Sequence, residues 1–81
     1  MTREEIEKKI VYMITNQIAV SPSDVTPTKD FVGDLGFDSL DSVEMTMTVE
    51  DEFDFSVPDE DAEKLTNLNL LVGYVQKRLQ E

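Results

Sequence analysis

Apolar residues recur near the start of the chain at three- and four-residue spacing. Ile6, Ile10, Met13, Ile14 and Ile18 fall on one face of a helix. Thr2-Arg3-Glu4-Glu5 precedes them as a capping-box pattern, in which Thr2 and Glu5 satisfy each other's backbone N–H groups. Ser21-Pro22-Ser23-Asp24 ends the periodicity and Pro27 keeps the chain irregular, so residues 21 to 38 read as a long loop. Val25, Phe31, Val32 and Leu35 are the side chains expected to pin it. A loop longer than about 15 residues is uncommon in a small domain and is often functional. Gly33 and Gly36 bracket a turn, and Asp38 suits the N-cap of a second helix running from about Ser39 to Glu52 or Phe53. Asp59 to Lys64 predicts one short helix. Thr66 or Asn67 caps a last one, with Leu68, Leu71, Val72, Val75 and Leu79 on its apolar face. No segment alternates as a strand does. The pattern predicts an all-α fold, a bundle of three main helices plus one short helix with a long first loop, forming a single domain over residues 1–81.

The second helix carries two apolar stripes. Each residue advances by about 100° around a helix. Leu40, Val43 and Met47 therefore share one arc, and Met45, Val49 and Phe53 a second arc roughly 150° away. A helix on the surface of a bundle buries one stripe. Uncharged Ser42 and Thr46 flank the second arc, whereas Glu44, Glu50, Asp51 and Asp54 project beside the first. Ionised carboxylates are rarely buried without partners. Met45, Val49 and Phe53 are accordingly expected in the core, leaving Leu40, Val43 and Met47 as an exposed patch with an acidic rim. The alternative is a helix buried on both sides. An apolar patch with a charged rim has the anatomy of a docking surface.

Charge sharpens that picture. The 81 residues hold 18 Asp and Glu against 7 Lys and Arg, a formal charge of −11. Residues 34–63 carry 12 of the 18 acids and neither Lys nor Arg. The acidity thus belongs to one segment around the second helix. Such a surface does not neutralise phosphates, so nucleic acid is excluded as a partner, and partners with basic patches are expected. No apolar run reaches membrane-spanning length, and the N-terminus lacks the apolar stretch of a signal peptide, so no membrane insertion and a cytoplasmic address are expected. The chain has no Cys and no His. Thiolate metal sites, cysteine nucleophiles and the usual general base are all missing, which excludes most enzyme classes. No metal site is assigned. The Ca²⁺-loop pattern D-x-[DN]-x-[DN]-G does not occur.

The run Asp34-Leu35-Gly36-Phe37-Asp38-Ser39-Leu40-Asp41-Ser42-Val43-Glu44 resembles the acyl carrier protein family, whose mark is Asp-Ser-Leu at the start of the second helix. The similarity continues through Glu50-Asp51-Glu52-Phe53 and from Val57-Pro58-Asp59 to Leu65, covering essentially the whole chain. The resemblance implies a carrier rather than an enzyme. Ser39 would bear 4′-phosphopantetheine through a phosphodiester, transferred from coenzyme A by a phosphopantetheinyl transferase. Acyl chains would then ride as thioesters on an imported thiol, as a chain without Cys requires. A phosphate on Ser39 would also lie near the unpaired amides of a helix start.

The same resemblance implies that Asp38, Leu40, Asp41, Val43, Glu44, Met47, Glu50, Asp51, Asp59 and Glu60 dock on basic surfaces. The partners would be acyl transferases, ketoacyl synthases, reductases and dehydratases of fatty-acid biosynthesis, met by a monomer. Val32, Thr46, Val49, Leu65 and Leu71 would line the acyl pocket. Phe37 stands where the family has a small residue and is expected to shield the arm's base or to contact partners. Thr46 and Leu71 replace smaller or less polar residues, which implies a reduced or altered pocket. A specialised carrier for a polyketide, lipid A or another secondary pathway is the alternative. From another class, an acidic divalent-cation-binding or interaction protein remains open.

Overall fold

Thr2 and Glu5 fix where the first helix begins. The Glu5 amide donates to Thr2 Oγ1 at 3.2 Å, and the Thr2 amide donates to Glu5 Oε1 at 2.9 Å. These bonds hold the Glu5 carboxyl below the usual carboxylate range. From this box α1 runs Arg3–Gln17 in a computed structural model that describes residues 1–80. Glu81, the last position of the predicted domain, lies outside them. A 3₁₀ turn, Pro22–Asp24, interrupts the following loop. Helix α2 spans Ser39–Phe53, α3 Asp59–Ala62 and α4 Leu68–Leu79. The architecture is the expected all-α bundle of three main helices and one short one.

Two boundaries fall short of the sequence expectation. Ile18 is extended, with φ −128°, so it reaches the core from the connector rather than from the helical face. Helix α3 stops at Ala62 instead of Lys64, because the Lys64 amide turns back to the Asp61 carbonyl in a tighter turn.

Ile6, Ile10 and Ile14 of α1 are each 0% exposed. They pack with Leu68, Leu71, Val72 and Val75 of α4 and with Met45, Val49 and Phe53 of α2 in one cluster. Burying a large aliphatic side chain contributes about 1.5–3 kcal/mol, so this shared seam is the main source of cohesion. The long loop is stitched across it by backbone bonds. Phe31 N–H donates to the Thr66 carbonyl at 2.8 Å, and Asn69 N–H donates to that of Pro27 at 3.0 Å.

The loop corrects two expectations. Val32 does not pin the loop; it is 59% exposed. Phe37 faces neither solvent nor a partner; it is 3% exposed and stacks on Phe31, with ring centroids 5.3 Å apart. The cause is local. The Asp30 carboxylate accepts from the Gly33 amide at 2.6 Å, and the Asp34 carboxylate accepts from the Asp30 amide at 2.7 Å. This winding turns Phe31 inward and Val32 outward. Gly36 then adopts φ +80°, a left-handed conformation that brings the chain back so Phe37 fills the core.

None of the residues of α3 is buried. It is tied to the middle of α4 by Tyr74, whose hydroxyl donates to Asp61 Oδ2 at 2.8 Å. Arg78 Nη1 donates to the Tyr74 oxygen and to the Ser56 carbonyl, both at 2.9 Å. Its guanidinium also lies over the Phe55 ring, 4.8 Å from the centroid. Burial, followed by the bond to Asp61, pushes the Tyr74 phenol above its ordinary value, and the bond from Arg78 opposes the shift.

Phe37→Ala should cost about 3–5 kcal/mol in urea unfolding, as deletion of a buried ring does; a change below about 1 kcal/mol would be inconsistent with its core position. The raised phenol binds its proton more tightly in the folded state. Its stabilising contribution is therefore complete below the ordinary tyrosine pKa and is lost as pH rises through the higher folded value. Alkaline denaturation above about pH 10 should be steeper in wild type than in Tyr74→Phe.

Candidate functional site

Asp38 and Asp41 build the turn that presents Ser39. The Asp41 amide donates to Asp38 Oδ1 at 2.8 Å, and the Asp38 amide donates to Asp41 Oδ2 at 3.1 Å. This reciprocal capping box starts α2 with Ser39 as its first residue. Gln17, the last residue of α1, donates from Nε2 to the Asp41 carbonyl at 2.6 Å and braces that turn against the bundle. Ser39 is exposed, and its hydroxyl makes no hydrogen bond among the described residues. The amides of Ser39 and Leu40 likewise have no acceptor there. An accessible primary hydroxyl on a braced turn, above two open N–H groups, fits esterification by a phosphate.

The two stripes of α2 separate as the wheel predicts. Met45, Val49 and Phe53 are buried, whereas Leu40, Val43 and Met47 are 64%, 55% and 56% exposed. Asp38, Glu44, Asp51, Asp59 and Glu60 are exposed around them. Asp41 and Glu50 are half-buried, and each has a structural duty. Asp41 belongs to the capping box, and Glu50 Oε2 accepts from the Val57 amide at 2.8 Å, tying the connector before α3 to α2. A groove of about 440 Å³ between α2 and α3 has Val43, Met47, Glu50 and Asp59 in its lining.

Val32, Thr46, Val49, Leu65 and Leu71 meet on the wall of one cavity of about 150 Å³. It lies between the loop, α2, α3 and the start of α4. Leu71 is 2% exposed and Val49 1%, while Val32 sits at the mouth. The Thr46 hydroxyl donates to the Ser42 carbonyl at 3.0 Å, so its proton is satisfied within the helix. Ser42, Met45, Ala62 and Glu63 also line this cavity and were not among the predicted pocket residues. Ser42 was within reach, since it precedes Thr46 by one helical turn. The α3 residues were not, because only tertiary packing sets them against α2. Larger depressions of about 620 and 420 Å³ are open grooves along α1; of the predicted site residues they include Glu44 alone.

Comparison with known proteins matches this geometry. A family profile described as a phosphopantetheine attachment site matches residues 8–75. Among solved structures, the chain is similar to an acyl carrier protein from Enterococcus faecalis. The identity is 35%, the TM-score 0.82, and the alignment covers 95% of this chain and 98% of that one. Among the described residues no helix is long and apolar enough to cross a membrane.

The Glu50–Val57 bond makes a separable prediction. Glu50→Ala should lower stability by about 1–2 kcal/mol in urea unfolding, and Glu50→Gln, which keeps an acceptor, should recover most of it. Equal losses in both variants would mean that charge, not the bond, is what matters.

Proposed function

The chain belongs to the acyl carrier protein family, and from that premise we propose that it is a discrete cytoplasmic carrier whose attachment residue is Ser39, serving fatty-acid biosynthesis. Members of this family are carriers rather than enzymes, and their prosthetic group is phosphopantetheine. The observation that carries the residue assignment is the exposed, unbonded Ser39 hydroxyl on the capped first turn of α2. When attached, phosphopantetheine supplies the thiol on which acyl groups are held as thioesters.

The chain's own residues supply position and recognition. Asp38, Asp41 and Gln17 hold the Ser39 turn in place. Leu40, Val43 and Met47 offer apolar contact to a phosphopantetheinyl transferase and to acyl transferases, synthases, reductases and dehydratases. Glu44, Asp51, Asp59 and Glu60, with the outward edges of Asp38, Asp41 and Glu50, meet their Lys and Arg side chains. Exposed charges of this kind mainly accelerate encounter and confer salt dependence. That suits a carrier that must leave each partner. The cavity lined by Val32, Thr46, Val49, Leu65 and Leu71 receives the acyl group. Its small volume favours, as a second reading, a specialised acyl pathway over bulk fatty-acid synthesis.

Incubation with coenzyme A and a broad-specificity phosphopantetheinyl transferase should add one phosphopantetheinyl group by intact mass, and Ser39→Ala should add none. An undiminished gain in the variant would overturn the assignment of Ser39. Glu44→Lys and Met47→Ala should each reduce use of the modified protein by a partner synthase several-fold while leaving the unfolding transition in place. Unchanged kinetics in both would remove α2 as the docking face.

A further inference from the structure

We propose that the Tyr74–Asp61–Arg78 clasp, acting with Leu71, sets the largest acyl group this chain encloses at about six heavy atoms. The inference rests on the reading that the cavity beside α2 receives the cargo of Ser39. That cavity measures about 150 Å³, the size of an apolar cavity that holds one benzene molecule.

Most of its walls belong to the close-packed core. Phe31, Met45, Val49 and Leu71 are all at most 5% exposed, and moving any of them disturbs the seam with α1. The rest of the lining includes Val32 at the mouth and Ala62, Glu63 and Leu65, on and just after α3. The stretch on and after α3 is the part of the wall able to yield. The backbone bonds of residues 59–65 are all local, running no farther than Pro58. Among the described residues, the side-chain hydrogen bond that ties α3 to another element is Tyr74 to Asp61. The Tyr74 hydroxyl is aimed by Arg78, which is itself fixed by the Ser56 carbonyl and the Phe55 ring. Linked bonds of this kind strengthen one another. A longer acyl group must therefore break the clasp, displace Leu71 or remain partly in solvent. Leu71 closes the floor and the clasp holds the door. Tyr74, Asp61 and Arg78 act as positioning residues, since none of them lines the cavity.

The test uses the full chain, phosphopantetheinylated and loaded with straight-chain acyl groups from acetyl to decanoyl. In wild type the thermal midpoint should rise with each added pair of carbons up to hexanoyl and then stop rising. Leu71→Ala, Tyr74→Phe and Asp61→Ala should each move that break to octanoyl or beyond. Asp61→Asn keeps an acceptor for Tyr74 and should leave the break at hexanoyl. In the unloaded protein, Tyr74→Phe should raise amide exchange of residues 59–65 about ten-fold or more, with α1 and α4 unchanged. A midpoint climbing steadily to decanoyl in wild type, or a break unmoved in both Tyr74→Phe and Asp61→Ala, would overturn the proposal. So would uniform exchange across all helices. Failure of the transferase to add any mass would instead overturn the carrier reading, and the exchange measurement is independent of it.

Discussion

Burial of three isoleucines on one face of α1 is the constraint on which the structure depends. Ile6, Ile10 and Ile14 are fully enclosed, and they organise α4 on one side and α2 on the other. Residues 34–63 bring 12 acids and no Lys or Arg, so their own electrostatics oppose compaction. What holds that segment in place is apolar contact: Phe37, Met45, Val49, Phe53 and Val57 are all buried. Because the core is satisfied by one stripe of α2, the other stripe is free to face solvent. The exposed patch of Leu40, Val43 and Met47 is thus a consequence of where the α1 seam lies.

Carboxylates in this protein divide between structure and surface. Asp38 and Asp41 cap each other's turn, Asp30 and Asp34 wind the loop, Glu50 holds the connector and Asp61 accepts from Tyr74. Each uses an ionised oxygen to satisfy a donor, a charge-assisted bond stronger than a neutral one. Glu44, Asp51, Asp59 and Glu60 have no such duty among the described residues. With Glu52, which accepts from Lys9 Nζ at 2.9 Å, six of the 12 acids in residues 34–63 have a donor to satisfy among the described residues.

The helices were legible because their apolar period is long and their caps are chemical: Thr2 with Glu5, Asp38 with Asp41, Asn67 before α4. The separation of the α2 stripes was legible too, since carboxylates mark the solvent side. The loop was not. Phe31 and Val32 are adjacent apolar residues, and which one enters the core is decided by side-chain turns at Asp30 and Asp34 and by the positive φ of Gly36. No periodicity reports such a rotation. Phe37 was misread for the same reason: its position beside Ser39 suggested a role at the site, while the chain reversal at Gly36 sends it inward. The Tyr74–Asp61 and Arg78–Ser56 contacts join residues 13 and 22 positions apart and leave no mark on local pattern. Of the cavity, the residues on α2 and α4 followed from helical faces, whereas Ala62 and Glu63 came only with the placement of α3.

The stretch from Asp34 to Glu63 lacks lysine as well as arginine, and the whole chain lacks cysteine and histidine. Thioesters are activated acyl donors, and a neighbouring amine, thiol or imidazole is a nucleophile that would capture the acyl group. Helices α2 and α3 contribute no amine side chain; what α2 itself presents beside Ser39 is carboxylate, hydroxyl and hydrocarbon. A thioester carried on that turn would meet an amine only from other elements, such as Lys9, which Glu52 holds in an ion pair at 2.9 Å.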